Sequence, residues 1–431
     1  MLLAVAAIAS LLTGPPRAVT LPAGTIVVTG ETRIPAGFTL QGHVRGTVLR
    51  ASSKFQGRAV LVAESGVTIS GLTIDGNRAL LEKPVDIAPY DRTFVGFYDK
   101  NGIIAEGVDG LRVRNVKMRN ISNFAVIVAS SRNISIEGVE VADSGSRKKN
   151  GRNNTSGGVL IEEGSRDFAV RNCKFRNIRG NGVWTHSRYT SPRNGPGVFA
   201  DNDFELIGRD ALQAGHAKDL LIRANTGRRI GWPVEIVDVE GGGTPVAIDT
   251  AGDVSATYTG NHFEEINGKC IDLDGFHEGR VSENVCINTG KAEDYPFGHY
   301  AIVFNNTNPD MQSTGINIEK NVIDGTKFGG IFVIGERNVV MGNKMRRLNL
   351  AGCNETHAKF GCVYDAKQPD LLRAGIYLGA GAERPAPSRK NVIMDNVIEG
   401  HGMADYCIVA APGIDLKDQQ ILRNTCRNPQ P

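Results

Sequence analysis

Aromatic residues are scarce in this sequence, at 6% of 431 residues, and only two of them are tryptophan. Lysines and arginines do not alternate with aromatic residues in a basic stripe, which argues against a nucleic-acid partner. Beyond the N-terminal segment there is no apolar run long enough to cross a bilayer. We therefore expect neither nucleic acid nor a membrane as partner. Glycine, in contrast, is abundant, with 52 residues against 18 prolines.

Long helical periodicity is missing as well. Apolar and polar residues alternate instead in short segments such as VTISGLTIDGN at 67–77 and ISIEGVEVADSG at 134–145, and a period of two predicts β-strands. The segments recur along the chain, which is typical of a repeat architecture. Asparagine tolerates the left-handed bends between strands and can form amide ladders between repeats. It recurs in one slot of the repeat, at Asn115, Asn172, Asn202, Asn261, Asn321 and Asn396.

The segment PAGTIVVTGETRIPAGFTLQG at 22–42, followed by 67–77 and the asparagine-marked repeats, resembles the pectin-lyase-like superfamily. The resemblance extends from about Leu21 to Asn428. It implies an all-β fold, a single right-handed parallel β-helix with inserted loops, in a domain of residues 19–431. The superfamily includes polysaccharide lyases, glycoside hydrolases, epimerases and phage tailspikes, so the fold does not determine the chemistry.

Residues 1–18 form a short apolar run followed by glycine and prolines, which is typical of a signal peptide. This predicts a secreted or periplasmic protein. Seven cysteines fit an oxidising compartment. Cys270 with Cys286, and Cys407 with Cys426, occupy matching offsets in matching repeats, so we predict both as disulfides. Cys353 and Cys362 flank a polar insertion and form a third predicted pair, which leaves Cys173 over.

Carboxylates cluster on the predicted outer face of the solenoid. The repeats align on an inward aliphatic column, formed by Val183, Leu212, Ile248, Ile271, Ile302, Ile331, Ile376 and Ile408. Residues one and three positions later then point outward. Since neighbouring strands lie about 4.8 Å apart, Asp249, Asp272 and Asp274 are expected within roughly 5–8 Å of one another. These aspartates, with His186 and His216, are the predicted catalytic residues.

The same outer face supplies predicted substrate contacts. Trp184 and Tyr377 are expected to stack on sugar rings. The other predicted substrate-binding residues are polar, namely Arg188, Tyr189, Gln213, His277 and Asn305. A loop at 146–158 carries Arg147, Lys148, Lys149 and Arg152, and a basic loop of this kind attracts acidic polymers.

These residues predict an enzyme that cleaves a polysaccharide, and two chemistries stay open. Hydrolysis needs a carboxylic acid and a carboxylate, which the three aspartates supply. Elimination on a uronate needs a base such as histidine and a neutralising cation, for which Asp272 and Asp274 are possible calcium ligands. The sequence requires no cofactor, and whether the polysaccharide is acidic stays open. The alternative function is a non-catalytic glycan-binding or structural surface protein.

Overall fold

A computed structural model describes residues 8, 10–89, 91–307, 312–354, 359–363 and 367–429. The chain forms two compact units. Unit 1 comprises Met1–Ala211, Gly215–Lys218 and Glu235–Gly243, and unit 2 comprises Leu212–Ala214, Asp219–Val234 and Thr244–Pro431. Each unit is built from three ladders of parallel strands, to which successive coils of the chain each add a strand. Most of the predicted leader at 1–18 stays untested, because residues 1–7 and 9 lie outside the described residues.

The strands of unit 1 begin at Ala18. The first ladder contains Ala18–Thr20, Thr39–Gln41, Val67–Ser70, Asp109–Arg114, Arg132–Glu137, Arg166–Arg171 and Gly197–Ala200. Two long strands open the second and third ladders, Gly24–Ile34 and Thr47–Ala63. The second ladder continues with Thr73–Asp75, Lys117–Arg119, Glu140–Ser144, Lys174–Ile178 and Asp203–Ile207, and the third with Asn101–Glu106, Val126–Ala129, Val159–Glu162 and Val183–His186.

Unit 2 repeats the arrangement with shorter strands. Its first ladder contains Leu220–Arg223, Thr257–Thr259, Arg280–Ser282, Asn317–Glu319, Val339–Met341, Val392–Met394 and Gln420–Leu422. Its second contains Thr226–Ile230, His262–Ile266, Val285–Ile287, Val322–Asp324, Lys344–Leu348, Val397–Gly400 and Thr425–Arg427. Its third contains Val246–Val254, Lys269–Asp274, Ile302–Asn305, Ile331–Val333, Ile376–Leu378 and Ile408–Ala410. The strand Leu212–Lys218 takes its residues from both units.

From Ala18 onward, the helical segments that the structure describes are single turns in the bends and insertions. They are Arg78–Leu81, Phe94–Phe97 and Val239–Gly242, with 3₁₀ turns at Val234–Ile236, Ala292–Asp294, Lys359–Gly361, Leu371–Arg373 and Leu416–Asp418. The predicted fold class, an all-β parallel β-helix with inserted loops, is therefore confirmed.

The predicted inward column forms the core of the third ladder in unit 2. Ile248 pairs in register with Ile271, Ile271 with Ile302, and the register continues through Ile331, Ile376 and Ile408. The first five isoleucines are fully buried. Strand alternation therefore points the residue after each of them outward, as the sequence predicted.

A ladder of buried asparagine amides runs through unit 2, as predicted. Each Nδ2 donates to the Oδ1 of the next asparagine at 2.8–3.0 Å, through Asn225, Asn261, Asn284, Asn321, Asn343, Asn396 and Asn424. The left-handed bend residue is a different one, directly before the ladder position, such as Glu283 before Asn284. Asn115 and Asn172 occupy that left-handed position, so placing them in one slot with Asn261 was wrong by one residue.

We expect Asn284→Ala to lower the free energy of unfolding by about 3 kcal/mol, because it leaves buried polar groups without their hydrogen-bond partner. Asn284 accepts from the backbone and side chain of Asn261 and donates to Asn321 and to the Tyr258 carbonyl. Urea unfolding followed by circular dichroism measures the loss. Asn424→Ala, at the last and half-buried rung, is the control, and an equal loss in both variants would contradict a ladder contribution.

All three predicted disulfides are present, joining Cys270 to Cys286, Cys353 to Cys362 and Cys407 to Cys426. Cys173 is free and buried, as expected. It takes a ladder position, where its backbone N–H donates to Asn202 Oδ1 at 3.0 Å. Burial raises the pKa of the Cys173 thiol to about 12, which keeps it protonated and unreactive.

Candidate functional site

The three predicted aspartates lie together on the outer face of the third ladder in unit 2. Ile248 pairs with Ile271, which places Asp249 and Asp272 on neighbouring strands one position further on. Asp274 pairs with Ala251 on one side and with Asn305 on the other. The strand register therefore places Asp249 beside Asp272, with Asp274 two residues further along the same strand.

A lysine that the sequence analysis missed lies among these carboxylates. The Lys269 ammonium donates to Asp272 Oδ2, and the two side chains are only 15% and 9% exposed. Burial alone would lower the pKa of Lys269, but Asp272, Asp249 and Asp274 offset it and raise the pKa overall. We call Asp249, Lys269, Asp272 and Asp274 the aspartate–lysine cluster. Lys269 escaped notice because it is the first residue of its strand, two positions before Ile271, so alternation groups it with the inward residues.

Asp274 differs from the other two aspartates in its surroundings. Its Oδ1 accepts the Thr307 backbone N–H at 2.8 Å, and its Oδ2 accepts the Thr307 hydroxyl. Burial, with the charge of Asp272, raises the pKa of Asp274, although Thr307 and Lys269 oppose the shift. The pKa of Asp274 is therefore shifted in the direction that favours the protonated carboxyl group.

The remaining polar groups around the cluster are fixed by partners, with one exception. Gln213 donates its amide to Asp249 Oδ2 and is 6% exposed. Asn305 turns its Oδ1 to the backbone N–H of Asn306 at 2.8 Å. His277 lies half-buried at the following bend, with Nδ1 3.4 Å from the Gly275 carbonyl oxygen. The exception is Asp272 Oδ1, which is buried and accepts no hydrogen bond in the described structure.

A second residue missed by the sequence analysis is His299, whose backbone N–H donates to the Gly268 carbonyl at 3.2 Å. Burial lowers the pKa of His299 to about 3, with Lys269 and Lys327 adding to the shift. The neutral ring lines a cavity of about 10 Å³, beside the disulfide between Cys270 and Cys286. His299 is thus a neighbour of the cluster that remains uncharged over the physiological range.

Two predicted sugar-stacking platforms are buried, and this part of the prediction is wrong. Trp184 points outward from its strand but is only 5% exposed, because Phe94, Val95 and Tyr98 of an inserted segment cover it. Tyr377 is fully buried and stacks on Phe332, with ring centroids 6.1 Å apart. Alternation along a strand reports which way a side chain points, but it carries no information about a second layer of chain above it.

Glu162 fastens the inserted segment in unit 1. Its carboxylate is fully buried and accepts the backbone N–H groups of Phe94 at 2.9 Å and Val95 at 2.7 Å. Burial raises the pKa of Glu162 to about 7 despite these hydrogen bonds. The adjacent Glu163 behaves in the opposite way, because hydrogen bonds from Arg188 and Ser191 outweigh its burial and lower its pKa.

Glu162 should make stability fall as the pH rises. Its folded-state pKa of about 7 lies above the ordinary value of 4.5, so between these values the folded state binds the extra proton. The stabilisation is complete below pH 4.5 and is lost through pH 7, by an amount on the order of 3 kcal/mol. Urea unfolding of Glu162→Gln should lack this decline. Glu163→Gln is the control, and a decline that survives in Glu162→Gln would contradict the assignment.

The predicted histidines belong to unit 1, with Arg188 and Tyr189. Arg188 donates to both oxygens of Glu163, which anchors the loop, and Tyr189 is 55% exposed. His216 Nε2 lies 2.8 Å from the Ser191 carbonyl oxygen. Because a carbonyl only accepts, Nε2 carries the proton, and Nδ1 is the bare nitrogen, buried without a partner.

His186 is also neutral near pH 7. Burial lowers its pKa to about 4; Glu163 opposes this shift and His216 adds to it. Its ring centroid lies 4.3 Å from that of Phe94, and its Nδ1 is buried without a partner. The structure therefore places the two histidines in unit 1 and the three aspartates in unit 2, and catalytic roles for His186 and His216 remain predictions.

The possible calcium pair is occupied by other partners, since Asp272 faces Lys269 and Asp274 faces Thr307. Within the described ranges, no group of three or more histidine, cysteine, aspartate or glutamate side chains is placed to hold a metal ion. Of the helices that the structure describes, none has the length and apolar character to cross a membrane.

Comparison with known proteins identifies the fold. A family model described as a right handed beta helix region matches residues 157–346. A search for similar sequences among curated proteins finds no match. The fold resembles a family 28 exopolygalacturonase from Yersinia enterocolitica, at 13% identity and a TM-score of 0.52, covering 99% of this chain and 75% of that one.

Two further solved structures share the fold. A mannuronic acid specific polysaccharide family 6 lyase from human gut microbiota has 13% identity and a TM-score of 0.51, covering 96% of this chain and 83% of that one. The pre-mature gene product 12 of bacteriophage phi29 has 14% identity and a TM-score of 0.58, covering 89% of this chain and 49% of that one. At these identities the similarity concerns the fold. The chain accordingly has the fold of a right-handed parallel β-helix.

Proposed function

We propose that this protein is an exported enzyme that hydrolyses a polysaccharide at the aspartate–lysine cluster. The observation that carries the proposal is the gathering of three carboxylates around one ammonium, with Asp274 set to hold a proton. Glycoside hydrolysis needs one protonated and one ionised carboxyl group on either side of the bond that breaks. The three disulfides support export, since such bonds persist in oxidising compartments.

Asp274 is the proposed general acid. It would give its proton to the glycosidic oxygen as the bond from that oxygen to the anomeric carbon breaks. Asp272, held by Lys269, is the proposed base that takes a proton from the attacking water. Its Oδ1 accepts no hydrogen bond from the described residues, which leaves it the lone pairs that a base needs, and the attacking water would have to reach this buried atom. Two residues along a strand advance about 6.6 Å, which lies in the range for inversion of configuration.

Elimination fits this cluster less well. It requires a base, and Lys269 stays an ammonium because the surrounding carboxylates raise its pKa. His299 is neutral, but its Nδ1 is buried away from solvent. The family 28 exopolygalacturonase and the family 6 lyase show that this fold accommodates both hydrolysis and elimination. The local charges are therefore what favour hydrolysis.

A panel of acidic and neutral polysaccharides tests the proposal, with and without EDTA. New reducing ends without ultraviolet absorbance of unsaturated products support hydrolysis, and NMR of the first product should show inverted anomeric configuration. Absorbance gain would instead establish elimination. Retained binding without cleavage on every polymer would overturn the enzyme and favour the alternative, a non-catalytic glycan-binding surface protein.

A further inference from the structure

Three arginines converge at one corner of unit 1, apart from the groups described so far. Arg78, Arg147 and Arg179 follow strands Thr73–Asp75, Glu140–Ser144 and Lys174–Ile178 of the second ladder, each at the bend that leads onward. Burial, followed by the charge of Arg179, lowers the pKa of Arg78 to about 10, and Arg147 adds to this effect. The three guanidinium groups are therefore close enough to repel one another.

Three arginines face two carboxylates here, since the charges of Glu82 and Asp143 are those that oppose the fall in the pKa of Arg78. Arg179 forms an ion pair with Glu82 and donates to the Gly145 carbonyl at 3.2 Å. Among the described residues, Arg78 donates to that same carbonyl, at 3.3 Å. In the described part of the chain the Arg147 guanidinium has no hydrogen-bond or ion-pair partner, and its Nε is buried. Arg147 is half-buried, so its unpaired guanidinium is available to an external anion.

The loop that carries Arg147 is held in place by its other basic residues. Lys148 forms an ion pair with Asp238, and Arg152 donates to the carbonyls of Glu235 at 2.9 Å and Val237 at 3.2 Å. The Arg147 carbonyl accepts the backbone N–H of Val85 at 2.8 Å. Two of the four basic residues predicted to attract an acidic polymer are therefore structural, whereas Arg147 is presented on a fixed backbone with its charge available.

We propose that Arg78 and Arg147 form a binding site for an oxyanion, a carboxylate or sulfate group carried by an acidic polysaccharide. Guanidinium groups match such planar or tetrahedral oxyanions through paired, charge-assisted hydrogen bonds. A bound anion would also screen the repulsion between Arg78, Arg147 and Arg179. The oxyanion site stands on this geometry alone, whereas its polysaccharide source rests on the proposed function.

The first experiment tests the site with sulfate alone. Thermal unfolding of the wild-type protein should shift upward in sodium sulfate relative to sodium chloride of equal ionic strength. Arg147→Gln should bind sulfate about tenfold more weakly, the factor for one charge-assisted hydrogen bond. Without sulfate it should unfold at the same temperature as wild type or higher, because a repelling charge is gone.

Arg112→Gln, which removes an exposed arginine of the same unit, is the matched control and should keep the full sulfate shift. Arg78→Gln repeats the test should Arg147→Gln fail to fold. Equal shifts in sulfate and chloride, or a full sulfate shift in both the Arg147 and Arg78 variants, would overturn the site.

The second experiment tests the source of the anion by binding, independently of cleavage. Acidic and neutral oligosaccharides of equal length are titrated into the Asp274→Asn variant, with and without Arg147→Gln. Arg147→Gln should weaken binding of the acidic oligosaccharide about tenfold and leave binding of the neutral one unchanged. If sulfate binding depends on Arg147 but oligosaccharide binding does not, the polysaccharide source is wrong and the oxyanion site stands, whatever the enzyme assays show.

Discussion

Replacing Asp274 by asparagine should lower the rate of polysaccharide hydrolysis by about a thousandfold, within the usual contribution of a general acid. An asparagine has the same shape and keeps an oxygen for the Thr307 backbone N–H, so the fold should survive. What it loses is the ionisable carboxyl group whose pKa burial raises, and with it the proposed proton donor. Initial rates of reducing-end release, with circular dichroism as a check of folding, measure the effect.

The dependence on the leaving group separates a general acid from a merely structural carboxyl group. The phenolate of an aryl glycoside with an acidic phenol leaves without protonation. Asp274→Asn should therefore retain much more of its rate on such a substrate than on polysaccharide. The wild-type rate should fall on the alkaline side as Asp274 loses its proton, and the variant should lack that limb. Asp405→Asn, at an exposed position of the same unit, should behave as wild type. Equal losses on both substrates would remove Asp274 from the acid role.

Local sequence patterns were sufficient for the fold and for the carboxylate face. Period-two alternation in repeated segments placed Ile271 inward and Asp272 outward. The register between neighbouring strands then placed the outward residues side by side. Matching offsets likewise identified the pairs Cys270–Cys286 and Cys407–Cys426. These features depend on neighbours along one coil or between adjacent coils, which is the distance over which a solenoid repeats.

Features that depend on distant chain segments escaped the sequence analysis. Trp184 is covered by Phe94, which lies in an insertion ninety residues earlier in the chain, and no repeat pattern encodes that contact. Lys269 is the first residue of its strand and falls in the alternation of the inward residues, so the pattern did not assign it to the outer face. Glu283 has the left-handed φ of the bend, whereas Asn284 occupies the buried ladder position. These two roles can be told apart only when the backbone angles are known. Insertions and bends thus determine which outward residues remain accessible.

Lys269→Met should destabilise unit 2 by about 3 kcal/mol, because it leaves Asp272 as a nearly buried carboxylate without its ammonium partner. Methionine keeps the length and apolar stem of the lysine, so the loss reports the charge and not the packing. Urea unfolding gives the free energy. Lys117→Met is the control, since its ion pair with Glu140 is 64% and 48% exposed and should contribute under about 0.5 kcal/mol.

The double variant Lys269→Met with Asp272→Asn decides why the lysine is present. With neither charge left, most of the lost stability should return, and a double-mutant cycle gives the coupling between the two side chains. The double variant should not hydrolyse polysaccharide, because it lacks the proposed base. A single variant as stable as wild type would show that solvent already screens the pair. Recovery of activity together with stability would show that Asp272 is structural, and the acid–base assignment would then have to move to Asp249.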